Sequence, residues 1–302
     1  MMTITNEFRN KVREALLAIR PNFDGTDVAF AKQWDIDKSA YNQIKKGHIQ
    51  RVISDGKWIA IGRELGVGTH EKKWNTARTD VFVTIEQEIL FCKQHAKAKI
   101  FVDKCEIGKT HAAKYLSKTL RNCFYIDGSQ AKSKQQFVRK MAKTIGVDQI
   151  GTYVEVKENI KYCLKLLPNP IIIIDEAGDL KNDAFLELKE FWNATEGYCG
   201  WYMMGADGLK AKIERGILYQ KVGFRELFSR FSGKYTSVVP QGKQDQIAFM
   251  KKLIGDVLEV NMADTSTINQ VINKCITKDD NDNIGGLRRA ESQLILNSMS
   301  HE

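Results

Sequence analysis

The first seventy residues place apolar side chains at a helical period. In "NEFRNKVREALLAI", Phe8, Val12, Ala15, Leu16 and Ile19 fall on one face of an amphipathic helix. "TDVAFAKQWDIDKSAYNQIKKG" follows. Asp27 can cap a short helix carrying Phe30, Ala31 and Trp34, a tight break comes at Asp35–Asp37, and a second helix runs from Lys38 to just before Gly47. "SDGKWIAIGRELGVG" spaces Trp58, Ile61 and Leu65 for one more. Short helices with a sharp turn between the second and third form a helix-turn-helix pattern. Its candidate recognition helix turns Ala40 and Ile44 inward and exposes Lys38, Ser39, Tyr41, Asn42, Lys45 and Lys46. Those side-chain types suit phosphates and base edges. A small docking module with a solvated polar face fits the same pattern.

"GVGTHEKKWNTARTD" is polar and non-periodic, so a linker is expected at about 68–80. Beyond it the period changes. The apolar runs "AKIFV", "NCFYI", "PIIIID" and "GWYMMG" are separated by helical stretches such as "KSKQQFVRKMAKTIG" and "NDAFLELKEFWN". That alternation predicts an α/β fold, a parallel sheet with helices on both faces. After "KYTSVV" the pattern is helical again: Ile247, Met250, Ile254 and Val257, then Ile268, Val271, Ile272 and Cys275, then Leu287, Ala290, Leu294 and Ile295. The expected organisation is a helical domain over 1–70, an α/β domain over 71–240 and a helical subdomain over 241–302.

Composition changes this picture in one respect. The 302 residues carry a formal net charge of +9, which favours an acidic polymer such as nucleic acid as partner, although excess lysine also serves solubility. The six cysteines form no C-x-x-C and have no histidine cluster beside them. They read as reduced core thiols of a cytoplasmic protein. The start lacks the pattern of a secretory leader, and the longest wholly apolar run, "IIII", is far too short to span a membrane.

The candidate chemistry sits in "FVDKCEIGKTHAAKYL". A phosphate-binding loop reads G-x-x-x-x-G-K-[ST]; here Gly108, Lys109 and Thr110 supply its second half, and Asp103 stands where the first glycine belongs. A GKT alone is weak, but it follows a strand and opens a helix, the context that aims free N–H groups at phosphates. Cys105, Glu106, Ile107, Gly108, Lys109, Thr110 and His111 are the candidate nucleotide contacts, with Lys109 on the β- and γ-phosphates and Thr110 on Mg²⁺. "IIIIDEAGDL" supplies the other half, 66 positions after Lys109. Its strand ends in Asp175, placed to hold Mg²⁺, and Glu176, placed to polarise an attacking water. Asp103 and Glu106 would repel a triphosphate unless they point outward or pair with Lys104, so ATP binding of modest affinity is expected.

On these motifs, "DKCEIGKT" and "IIIIDEAGDL", the chain resembles the AAA+ ATPases that serve DNA transposition, above all the target-selection ATPases of Mu-like transposing phages. The resemblance covers almost the whole chain: helix-turn-helix domain, AAA+ core and helical lid. It implies a polar sensor at the end of the fourth strand, where "WYMMGADGL" offers Asp207 in place of the common asparagine. It implies an arginine finger in "FRELFSRF", Arg230 first and Arg225 second, and a nucleotide-sensing arginine in "GGLRRAESQL", Arg288. Each arginine has a plain reading as a surface ion-pair residue. What the resemblance implies is an ATPase that polymerises with ATP into a helical filament on double-stranded DNA, presents that DNA to a transposase, and leaves it on hydrolysis. Lys132 and Lys134, in "DGSQAKSKQQF", are the candidate contacts to the DNA backbone; a solvated basic face fits them equally. Two other readings stay open: a helicase loader or replication initiator, and a helix-turn-helix transcription regulator that only senses nucleotide.

Overall fold

The structure, a computed structural model, describes residues 4–67, 74–262, 264–277 and 284–299. Residues 68–73 of the expected linker lie outside them. The chain opens with helices α1 (Asn6–Ile19), α2 (Asp27–Gln33), α3 (Lys38–Lys45) and α4 (Asp55–Leu65). Each is started by a side-chain cap, from Thr5, Thr26, Asp37 and Ser54 in turn, which satisfies an N–H that the helix itself cannot. The cap of α2 is thus Thr26, and Asp27 is the first helical residue. Val12, Leu16, Phe30, Tyr41, Ile44, Trp58 and Ile61, with Ile36 from the turn between α2 and α3, close a separate core.

The rest is built on a parallel sheet of β1 (Ala98–Val102), β2 (Cys123–Asp127), β3 (Ile171–Asp175), β4 (Gly200–Gly205) and β5 (Tyr235–Thr236), in the order β2-β3-β4-β1-β5. The central strands are continuous apolar runs because helices cover both faces. One face carries α5 (Asp80–His95) and α6 (Lys109–Thr119). The other carries α7 (Lys134–Ile145), α8 (Tyr153–Leu166), α9 (Asn182–Ala194), α10 (Asp207–Leu218) and α11 (Phe224–Arg230). A buried Glu88 ties α5 to three strands: it pairs with Lys99 at 2.7 Å and accepts from Tyr202 and Thr236 hydroxyls at 2.8 Å each. The chain ends in α12 (Lys243–Asn261), α13 (Ile268–Cys275) and α14 (Leu287–Met299). Met250 and Leu253 of α12 pack with α5 and α6, whereas Ile254 and Leu258 pack with α13 and Ala290. The fold is an α/β P-loop core with helical parts before and after it. Among the described residues no helix is long and apolar enough to cross a membrane.

Candidate nucleotide site

Because the strands are parallel, Val102, Asp127, Asp175 and Gly205 end at one edge of the sheet, where open α/β folds place their ligands. The loop after β1 runs from Asp103 to Gly108 and feeds α6. Gly108 has φ +95°, a conformation that glycine takes without strain, and no side chain caps the helix behind it. The first N–H groups of α6 therefore lack an internal partner and point the positive end of the helix dipole at the loop.

Lys109 is buried, and its ammonium donates to the carbonyls of Asp103, at 2.8 Å, and Lys104. Burial pushes its pKa below the ordinary lysine value. The Thr110 hydroxyl donates to Asp175 Oδ2 at 2.7 Å, so the two halves of the motif, 65 positions apart, meet. Asp175 is 1% exposed. Its Oδ1 accepts the Glu176 N–H at 3.0 Å, and its Oδ2 also accepts the Tyr125 hydroxyl at 3.0 Å. Glu176 follows with φ +48° and an exposed side chain. Partial withdrawal from water, then the charge of Asp175, raise its carboxyl above the ordinary range.

The two loop carboxylates are turned away from the helix terminus by different means. Asp103 is 6% exposed. Its Oδ2 accepts the N–H groups of Val238 at 2.6 Å and Val239 at 3.0 Å, and its Oδ1 accepts the N–H of Lys104 at 2.8 Å. Three amides stabilise the charge and bind the loop to the chain leaving β5. The Lys104 ammonium is not its partner; it bonds Gln246 at 2.6 Å. Glu106 takes φ +62°, costly for a side chain, and reaches the start of α14. Its carbonyl accepts Leu287 N–H at 2.9 Å, its carboxylate accepts Gly286 N–H at 3.3 Å, and Arg288 lies 3.5 Å away. A Cβ on Gly286 would fall 2.5 Å from that of Glu106, so this contact needs glycine. Arg288 is otherwise exposed. Ile107 is buried and Cys105 exposed, which corrects the expectation that all six cysteines are core thiols. Burial pushes the Cys92 and Cys123 thiols up to about 12, as befits inert core groups. His111 is exposed on α6, its Nε2 3.0 Å from the Thr76 hydroxyl.

Asp207 is the exposed first residue of α10, two positions past the end of β4. Arg230 ends α11, where its guanidinium bonds Asn193 and lies 5.6 Å from the Trp192 ring centre; Arg225 is exposed. Lys132 faces Asp179 at 3.4 Å. Lys134 is half-buried against Glu187, at 3.1 Å, and the Tyr153 ring. Lys38, Ser39, Asn42 and Lys45 of α3 and Lys46 at its C-terminal cap are exposed, and Lys45 pairs with Asp27 at 2.6 Å. Tyr41 departs from expectation. It is 1% exposed, with its ring 5.5 Å from that of Phe30, because it lies one position from the inward Ala40 and three from Ile44. It is a core residue and cannot reach DNA.

Tyr125 is the site residue that the pattern of the chain did not single out. In "NCFYI" it reads as one more strand aromatic, but a half-buried phenol whose hydroxyl points inward needs a partner. Burial, then the charge of Asp175, raise its pKa well above the ordinary tyrosine value.

A lysine and helix N-terminus facing a strand-end carboxylate pair define a P-loop nucleotide fold. Residues 106–213 match the family described as AAA domain, and this supports an AAA+ ATPase. The match covers well under half of the chain, from the middle of the phosphate loop to α10, and leaves Arg225, Arg230, Arg288 and the N-terminal helices outside. No curated protein matches the chain.

Proposed function

We propose that the protein is an ATP-dependent DNA-binding AAA+ ATPase, largely indifferent to sequence, that polymerises on target duplex DNA and delivers it to a transposase. The observation that carries the ATPase part is the meeting of Thr110, Lys109 and the α6 N-terminus with Asp175 and Glu176. Lys109 would exchange the carbonyls of Asp103 and Lys104 for the β- and γ-phosphates. The donor set of hydroxyl and carboxylate oxygen suits a hard cation, which Thr110 and Asp175 would hold together with phosphate oxygens and waters. Mg²⁺, when bound, neutralises charge on those phosphate oxygens. Glu176 would orient the attacking water and take its proton. Arg288, now beside Glu106, would turn to the nucleotide, and Arg230 would act on ATP held by a neighbouring subunit. Asp207 would serve as the sensor.

The DNA part is supported by the exposed row Lys38, Ser39, Asn42, Lys45 and Lys46 on a helix entered by a tight turn, and by the basic balance of the chain. Lys132 would add a backbone contact, and Lys134 would do so only by leaving Glu187. The transposase partner rests on the resemblance described above. Steady-state ATP turnover with and without duplex DNA, together with electron microscopy of the ATP–DNA mixture, tests the reading. Filaments and DNA-stimulated turnover are expected; turnover indifferent to DNA, with no assembly, would sink it. Asp103 in place of the first glycine of the phosphate loop and the absence of asparagine after β4 favour a second reading, a helix-turn-helix regulator that binds nucleotide without hydrolysing it. Binding without turnover is its signature.

A further inference from the structure

We propose that the Tyr125 hydroxyl is the positioning group for the Asp175 carboxylate and sets how tightly the site takes Mg²⁺; this rests on the nucleotide reading above. A carboxyl group as buried as that of Asp175 needs hydrogen-bond partners. It has three: Glu176 N–H on Oδ1, and the Thr110 and Tyr125 hydroxyls on Oδ2. A carboxylate oxygen offers about two acceptor positions. Oδ2 is therefore filled, and Oδ1 keeps one. Of the two hydroxyls, that of Thr110 is also a ligand for the ion. Tyr125 has no second duty. It comes from the neighbouring strand, where it pairs with Ile173, two residues before Asp175. Its ring is held against α6, with the Lys114 ammonium 5.6 Å from the ring centre. A phenol fixed in this way is a rigid stop against rotation of the carboxylate. Groups behind a metal ligand orient it, and their loss costs about 10- to 100-fold in metal affinity or activity.

The test is binding of a fluorescent ATP analogue to the full chain, first in EDTA and then along a Mg²⁺ titration, for wild type and Tyr125→Phe. Phenylalanine keeps the ring and loses only the hydroxyl. The expected result is a Mg²⁺ midpoint raised about 10-fold or more, with metal-free affinity unchanged. A midpoint equal to wild type overturns the proposal and leaves the nucleotide site standing. Loss of metal-free binding in equal measure also overturns it, since Tyr125 would then merely hold the fold. Wild-type binding that ignores Mg²⁺ overturns it together with the role of Thr110 and Asp175 as holders of the ion, and no binding of the analogue by wild type with or without Mg²⁺ overturns the nucleotide reading itself.

Discussion

Asp103 and Glu106 are two carboxylates in a loop that must accept a triphosphate, and the protein disposes of them differently. The charge of Asp103 is held by three amides. Among the described residues, that of Glu106 faces only the Gly286 N–H and the exposed Arg288. Glu106→Gln keeps an oxygen for Gly286 and removes the charge, so ATP should bind roughly five- to tenfold more tightly, since one nearby unit charge weighs about 1 kcal/mol in water. Calorimetric titration of ATP decides; an unchanged Kd would mean that the charge is not felt at the phosphates. Glu176 makes a second prediction. As a base it must be ionised, and its pKa is raised, so turnover should be full at neutral pH and fall on acidification at a pH above that of an ordinary carboxylate. Glu176→Gln should bind ATP, hydrolyse it at least a hundredfold more slowly, and lose that acidic limb. Wild-type turnover by the mutant would remove Glu176 from the role. The GKT and the strand-end Asp-Glu were legible in the chain because both are local patterns. The solution for Asp103 was not, because two of its three partners lie 135 and 136 positions away. Nor was Tyr125, since a strand pattern records burial and is silent about where a hydroxyl points.

At the scale of elements, boundaries written by caps and glycines were readable almost to the residue. α3 starts at Lys38 behind its Asp37 cap and ends before Gly47 at φ +94°. What periodicity misjudged was the width of its buried face, which takes in Tyr41. The remaining exposed side chains are not equivalent. Lys38, Asn42 and Lys46 follow one another at four-residue intervals, while Lys45 is held by Asp27, whose carboxyl it depresses below the ordinary range, with Arg20 adding to the effect. Lys38→Ala and Lys46→Ala should therefore each weaken duplex binding and flatten the salt dependence by about one unit of slope per lost phosphate contact. Lys45→Ala should do less, because its charge is already partly neutralised. Fluorescence anisotropy over a range of salt concentrations separates them. Equal salt slopes for wild type and all three variants would place the DNA on another surface.

At the scale of the whole molecule, the alternation of strands and helices made the parallel sheet legible, but not the docking of its neighbours. The N-terminal helices lie on the core through polar contacts: the Asn122 N–H to the Asn22 carbonyl at 3.1 Å, Gln33 to the Thr144 carbonyl at 2.8 Å, and Glu64 to Lys143. A hydrophobic pattern carries no signal for such contacts, and they resemble an interface between domains more than a core. The same limit applies between molecules, where the proposed assembly turns on Arg230. Within one chain this arginine, at the end of α11, rests on Trp192 and Asn193 of α9. If its partner is a phosphate in the adjacent subunit, Arg230→Ala should bind ATP with wild-type affinity yet neither assemble nor hydrolyse, a loss of at least a thousandfold in turnover for an arginine finger. Lys109→Ala should fail earlier, by not binding ATP. Mixing makes the test sharp. Lys109→Ala subunits keep the arginine, and Arg230→Ala subunits keep the ATP site, so a mixture can form interfaces in which one copy supplies each. Part of the DNA-stimulated turnover should return, although neither variant is active alone. Recovery should peak at intermediate ratios, because only one order of the two copies completes the interface. Normal hydrolysis by Arg230→Ala alone, or no recovery at any ratio, would exclude action by Arg230 across the interface and move the test to the exposed Arg225.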